Sequence, residues 1–307
     1  MKNRISVVLG FALLICVIKV NAVTIETVAI DHIGNAPDPA TGSLYGSVNY
    51  KYKIGKFEVT NSQYMEFLNA VATNDVYGLY NTNMFANSAG GIQRFGDEGA
   101  YTYAVVSGRG NCPVNFVTFS NMLYFANWLT NGQGGPETIH NGAYDLSQKI
   151  ETLTRSSLRP AWFLTSEDEW YKAAYYDPTL NSNTGGYWLY ATKNNTQPVA
   201  SAPPGSGNNS NWNRVQTKPT IAGAYVGSVS YYGLHDLAGN VSEVTDTIYD
   251  ITTFTNRIRR GQNYRATAVT LLPSSGRTID GLTAGAVNTL GFRVVHVLRT
   301  GTLMCVK

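Results

Sequence analysis

The 307-residue chain is 43% hydrophobic and only 14% charged, which supplies a packed core and excludes a disordered chain. Its formal charge of +3 is an N-terminal effect: Lys2, Arg4 and Lys19 fall in the first 22 residues, where no acidic residue occurs, and the remainder sets 20 basic against 20 acidic side chains. A nucleic-acid binder needs a cationic excess, so no nucleic-acid partner is expected.

Lys2 and Arg4 precede an apolar stretch over residues 5–18, and Val20-Asn21-Ala22 offers small residues where a signal peptidase reads. Cleavage after Ala22 is expected. Residues 1–22 are then a signal peptide, and the product is exported to a periplasmic, cell-surface or secreted location. The apolar stretch is shorter than the ~20 residues of a membrane span, and no membrane span is expected once it is removed. Ile15, ahead of Cys16, is not the Gly or Ala of a lipobox. Cleavage leaves Cys112 and Cys305, which either bridge in an oxidising compartment or stand as two inert thiols. No C-x-x-C pair exists for zinc or redox chemistry.

Residues 23–50 read as short strands and turns, punctuated by Pro37, Pro39, Gly42 and Gly46. Residues 52–59 read as one strand. Thr60 and Gln63 form a capping box that opens a helix, with Tyr64, Phe67, Leu68 and Val71 on its apolar face. Thr118 caps a second helix carrying Phe119, Met122, Ala126 and Leu129, ended by Gly132. Ser166 and Glu169 make a second capping box for a third helix, stopped by Asp177-Pro178. Residues 181–219 are dense in Asn, Ser, Gly, Pro and Thr. Tyr187, Trp188, Tyr190 and Trp212 within them favour an ordered loop over disorder, because these rings gain by burial. Three helices among strands and long polar loops make an α+β fold.

Familiar catalytic signatures are missing: there is no phosphate-binding P-loop, no H-E-x-x-H and no G-x-S-x-G elbow. The four histidines, His32, His140, His235 and His296, are not spaced as metal ligands on one element. Glu167, Asp168 and Glu169 fit the first turn of a helix, where carboxylates complement the dipole. Arg257, Arg259 and Arg260 read as a solvated strand face. The most distinctive segment is residues 232–243, where Asp236 and Glu243 bracket Gly239-Asn240. Glycine accepts positive φ, so the chain can fold back there and aim two carboxylates and intervening carbonyls at one point. Such hard oxygen donors suit Ca²⁺, although an ordinary polar turn has the same sequence.

These segments together resemble the formylglycine-generating enzyme, or sulfatase-modifying factor, family. The pieces are Phe57-Glu58-Val59-Thr60-Asn61, Cys112-Pro113-Val114-Asn115-Phe116, Phe163-Leu164-Thr165-Ser166-Glu167-Asp168-Glu169-Trp170, the 232–243 segment, Arg260-Gly261 and Gly291-Phe292-Arg293-Val294. They stand in family order across residues 45–297, in the manner of an exported bacterial branch. The resemblance implies one C-type-lectin-like domain over residues 23–297, with 298–307 as a tail. It also implies structural calcium held by side-chain oxygens of Asp236 and Glu243 and carbonyls of Gly239 and Val241. A second family calcium site would fall near Asn211 and Trp212, but the further Asp it needs is not recognisable between Val215 and Tyr225.

The departures bear on function. Residues 260–272, where the family's oxidase carries two copper-binding cysteines, contain none here. Hydroxyls and amides cannot replace soft thiolates, so no copper is expected. The histidine-rich set of the related iron enzymes is missing too, and the usual W-E-W reads Ser242-Glu243-Val244. The reading is therefore a non-catalytic exported scaffold, braced by calcium, that binds a ligand or extracytoplasmic protein through its loops. The 260–290 segment is the expected contact surface, with Asn263, Tyr264, Arg265 and Arg277 as candidate contacts. The alternatives are a metal-dependent oxidoreductase of the formylglycine-generating or non-haem iron type with a changed active site, and a structural envelope component.

Overall fold

The computed structural model describes residues 22–249, 256–281 and 286–298. The expected signal peptide, apart from Ala22, and Cys305 lie outside these residues. Two four-stranded sheets organise the fold. The first joins β1 (Thr27–Ile30), β2 (Tyr52–Gly55), β3 (Ala161–Leu164) and β8 (Val294–Val297) in the antiparallel order β1-β2-β8-β3. The second joins β4 (Ser242–Ile248), β5 (Asn256–Arg260), β6 (Thr278–Gly281) and β7 (Leu290–Gly291) in the order β6-β5-β4-β7, with β7 parallel to β4. The first sheet thus brings segments near both ends of the described chain together, and β7 and β8 carry the chain from one sheet to the other.

Three helices pack on this frame where their caps foretold. α1 (Asn61–Val71) has the full Thr60–Gln63 capping box. α2 (Phe119–Thr130) is capped by Thr118, and α3 (Glu167–Tyr175) has the Ser166–Glu169 box. A single helical turn covers Asn83–Ala86, and a short turn over Leu180–Asn183 has left-handed φ at Asn181 and Ser182. Between α1, α2 and the link from β7 to β8 lies an aromatic cluster. Phe67 meets Phe125 edge-on at 5.5 Å and Trp128 at 5.4 Å, and Phe125 meets Phe292 edge-on at 5.6 Å. Edge-to-face pairs of this kind add about 1 kcal/mol each beyond their burial.

Two expectations are corrected. The strand read over residues 52–59 ends at Gly55. The chain leaves the sheet because the amide of Val59 donates to Phe292 O and its carbonyl accepts from Val114, and Glu58 turns inward. The arginines of β5 are not a solvated face, since Arg257 and Arg260 are each 1% exposed. Arg260 reaches Glu167 and the carbonyls of Ser274 and Gly276, and Arg257 lies over the Phe119 ring and donates to Ile150 O. Arg257 and Arg260, three apart, point to opposite faces of the strand, and both faces are covered by segments distant in sequence.

The 181–219 segment is ordered, as its aromatic residues indicated. Trp188 Nε1 donates to Asp177, and Trp212 Nε1 to Pro198 O.

Candidate functional site

The 232–243 segment runs from the surface into β4 and makes its sharp turns at three left-handed residues. These are Gly233, Asp236 and Asn240, with φ of 85°, 64° and 67°. Gly239 is not among them, so its role differs from the expected one. A Cβ there would sit 2.6 Å from Asn211 O, and the residue is glycine because two backbones touch. Asn240 then spends its side chain inside the fold. Its Oδ1 accepts from Thr220 N at 2.9 Å, and its Nδ2 donates to Glu58 at 3.3 Å.

Glu58 was not among the predicted ligands, although it lies in a motif that carried the resemblance. It is 1% exposed, and its Oε2 has no hydrogen-bond partner. Burial pushes its carboxyl well above the ordinary range. The nearby charge of Asp236 adds to the rise, and Arg293 opposes it. Burial likewise raises Asp236 to about 6, against the pull of the Gly223 amide, which it binds at 2.6 Å, and of Arg293. Glu243 completes the group and takes a two-pronged ion pair from Arg293, at 2.9 and 3.0 Å. Trp170 Nε1 donates to the same carboxylate at 2.8 Å. Arg293 also ties Gly55 O and His235 O, so one buried guanidinium fastens β2, the 232–243 segment and β4.

Arg293 thus pairs directly with Glu243 alone and acts on Glu58 and Asp236 only through its charge, and one carboxylate oxygen of Glu58 has no donor. An anionic oxygen in this position carries a desolvation cost that a cation would offset. The side chains at hand, the carboxylates of Glu58 and Asp236, are hard oxygen donors of the kind that suit a hard cation. Among the described residues, no three His, Cys, Asp or Glu side chains stand close enough to hold a metal by themselves. An ion here would take much of its shell from carbonyls, as the motif implied for Gly239 and Val241. The altered flanks of Glu243 are both buried. Ser242 donates to Gly261 O and accepts from Asn263 Nδ2, a polar tie in place of an aromatic ring.

The four candidate contacts do not form one exposed patch. Asn263 is buried, and its Oδ1 caps the amides of Arg265 and Ala266. Tyr264 is buried, with its backbone joined to Asn240 and Arg214. Arg265 is exposed. Arg277 stands apart from these three: it pairs with Glu167 at 2.8 and 2.9 Å and lies against the Tyr45 and Tyr249 rings. Near the second family site, Asn211 Oδ1 is buried without a partner, and Tyr225 spends its hydroxyl on Ser201 O. Cys112 is a buried free thiol whose pKa burial raises.

A family model for the sulfatase-modifying factor enzyme 1-like domain matches residues 46–298. Among solved structures, CarF superposes with a TM-score of 0.52 at 19% identity, covering 90% of this chain and 99% of its own. Treponema denticola variable protein 1 superposes with a TM-score of 0.51 at 16% identity, covering 91% and 97%. At such identities the likeness establishes the fold, an irregular, loop-rich α+β architecture of the C-type-lectin-like kind. No curated protein sequence matches the chain.

Proposed function

The chain belongs to the sulfatase-modifying factor enzyme 1-like domain family, and from that premise we propose that it is an exported, non-catalytic scaffold, braced by calcium, that binds a ligand or an extracytoplasmic protein through its loops. The observation that carries the calcium part is the partnerless Oε2 of Glu58, buried beside Asp236 and Glu243 with one guanidinium among the three carboxylates. Calcium there would join the chain just after β2 to the 232–243 segment. Residues 260–272 hold no cysteine, and the one cysteine among the described residues, Cys112, is buried with a raised pKa. A thiol kept protonated is a poor copper ligand.

Elemental analysis of the purified protein, before and after chelation, tests this reading. The expected result is about one equivalent of calcium per chain, lost in Glu58→Gln and Asp236→Ala. Near-stoichiometric copper or iron, with oxygen-dependent turnover of a cysteine-containing peptide, would overturn the non-catalytic reading in favour of an oxidoreductase.

A further inference from the structure

Although the mature chain is neutral as a whole, its acidic residues are unevenly placed. Three runs, residues 99–136, 178–235 and 251–279, contain no Asp or Glu. The fold brings parts of all three together. Ala222 N donates to Asn111 O, joining the first run to the second, and Arg214 N donates to Tyr264 O, joining the second to the third.

A cavity of about 370 Å³ opens at the first junction, between the 107–112 turn and the 216–224 loop. Arg109, Cys112, Gln216, Lys218 and Thr220 are among its walls, and no acidic side chain lines it. Arg109 is 7% exposed, and its guanidinium donates to the carbonyls of Gly90, Pro219 and Ala89 at 3.0, 2.7 and 2.7 Å. These carbonyls orient the group without neutralising it, and burial lowers its pKa, which shows that the charge is poorly solvated there. Lys218 is exposed at the cavity, and Arg214 and Arg265 are exposed beside Tyr264. Among the described residues, none of these four cations forms an ion pair.

We propose that this cavity binds a compact oxyanion, the carboxylate or phosphate group of the protein's ligand, between Arg109 and Lys218. The amide of Gln216 supplies a neutral hydrogen bond beside the charges, and Arg109 is held ready by its three carbonyls, so little ordering is needed on binding. The proposal rests on the binding-scaffold reading and gives it a ligand class.

The test is an NMR titration of the full chain with methyl phosphate and, separately, with acetate, chloride keeping the ionic strength constant. Saturable shifts centred on the amides of Gly108, Arg109, Cys112 and Thr220 are expected. The probe that binds more tightly distinguishes a phosphate ester from a carboxylate. Lys218→Glu, at an exposed position, should weaken binding on the order of tenfold or more without moving the melting temperature. Shifts that never saturate, or saturable binding that Lys218→Glu leaves intact, overturn the proposal. If neither anion binds while another ligand still perturbs Tyr264 and Arg265, the oxyanion assignment fails and the scaffold reading stands.

Discussion

In the absence of calcium, Asp236→Asn should make the protein more stable near neutral pH. Asp236 is 7% exposed, and burial raises its carboxyl from the ordinary 3.8 to about 6, with the Gly223 amide and Arg293 opposing. Between those two values the folded chain binds the proton and the unfolded chain does not, so stability falls as pH rises. Above pH 6 the charged group therefore costs about 3 kcal/mol. Asparagine keeps an acceptor for Gly223 and removes the charge. Measured in EGTA, the variant should melt about 6 °C above wild type at pH 7.5, given about 2 °C per kcal/mol for a chain of this size. The gap should close as pH falls through 6 towards 3.8. His235 and His296, whose pKa values burial lowers, act in the opposite direction across the same range. They are common to both proteins and cancel in the difference. Calcium should reverse the order: at about a thousandfold excess over Kd, wild type gains about 4.1 kcal/mol, more than the deficit, and the variant gains little. A pH-independent difference in EGTA, or an equal calcium gain in both proteins, would refute this account of the carboxylate cluster.

Two other perturbations probe the frame. Arg155 binds buried Glu169 at 2.7 and 2.9 Å and Asp246 at 2.6 Å. Burial alone would raise Glu169, but the Arg155 charge and its hydrogen bonds hold it below the ordinary range. Arg155→Met leaves both carboxylates unpaired and should cost about 3–5 kcal/mol in denaturant unfolding; a loss under 1 kcal/mol would contradict this. Gly239→Ala forces a methyl group to 2.6 Å from Asn211 O, so it should weaken calcium binding at least tenfold by calorimetry while Asp236→Asn in the same titration abolishes it.

The helices were legible because their signals are local. Thr60 with Gln63 and Ser166 with Glu169 span three residues each, and both capping boxes form as read. The turn at 232–243 was legible in place but not in detail. That Gly239 is needed for contact with Asn211 and Asn240 takes the left-handed φ depends on a loop residue 28 positions earlier. Glu58 was hidden for the same reason, lying 178 residues from Asp236 in sequence although their charges interact in the fold. Its motif marked the segment without marking the role.

Charge was the feature composition described least well. A chain with 14% charged residues still buries Arg260 and Arg293 against Glu167 and Glu243, and holds half-buried Arg155 against Glu169 and Asp246. Removing one partner from such a pair exposes the other to the full cost of burial, so these few charges hold the loops in place and are not free for a ligand. The same spending explains why Arg277, in its pair with Glu167, is a weaker candidate contact than its position suggested. What recognition needs is charge without an internal partner, and total charge cannot reveal it. Arg109 and Lys218 have no acidic neighbour at their cavity because the runs that meet there contain none. The neutrality that argued against a nucleic-acid partner is an average over acid spent on internal contacts, as Asp236 is on the Gly223 amide, and base without an acidic partner, as at Arg109 and Lys218.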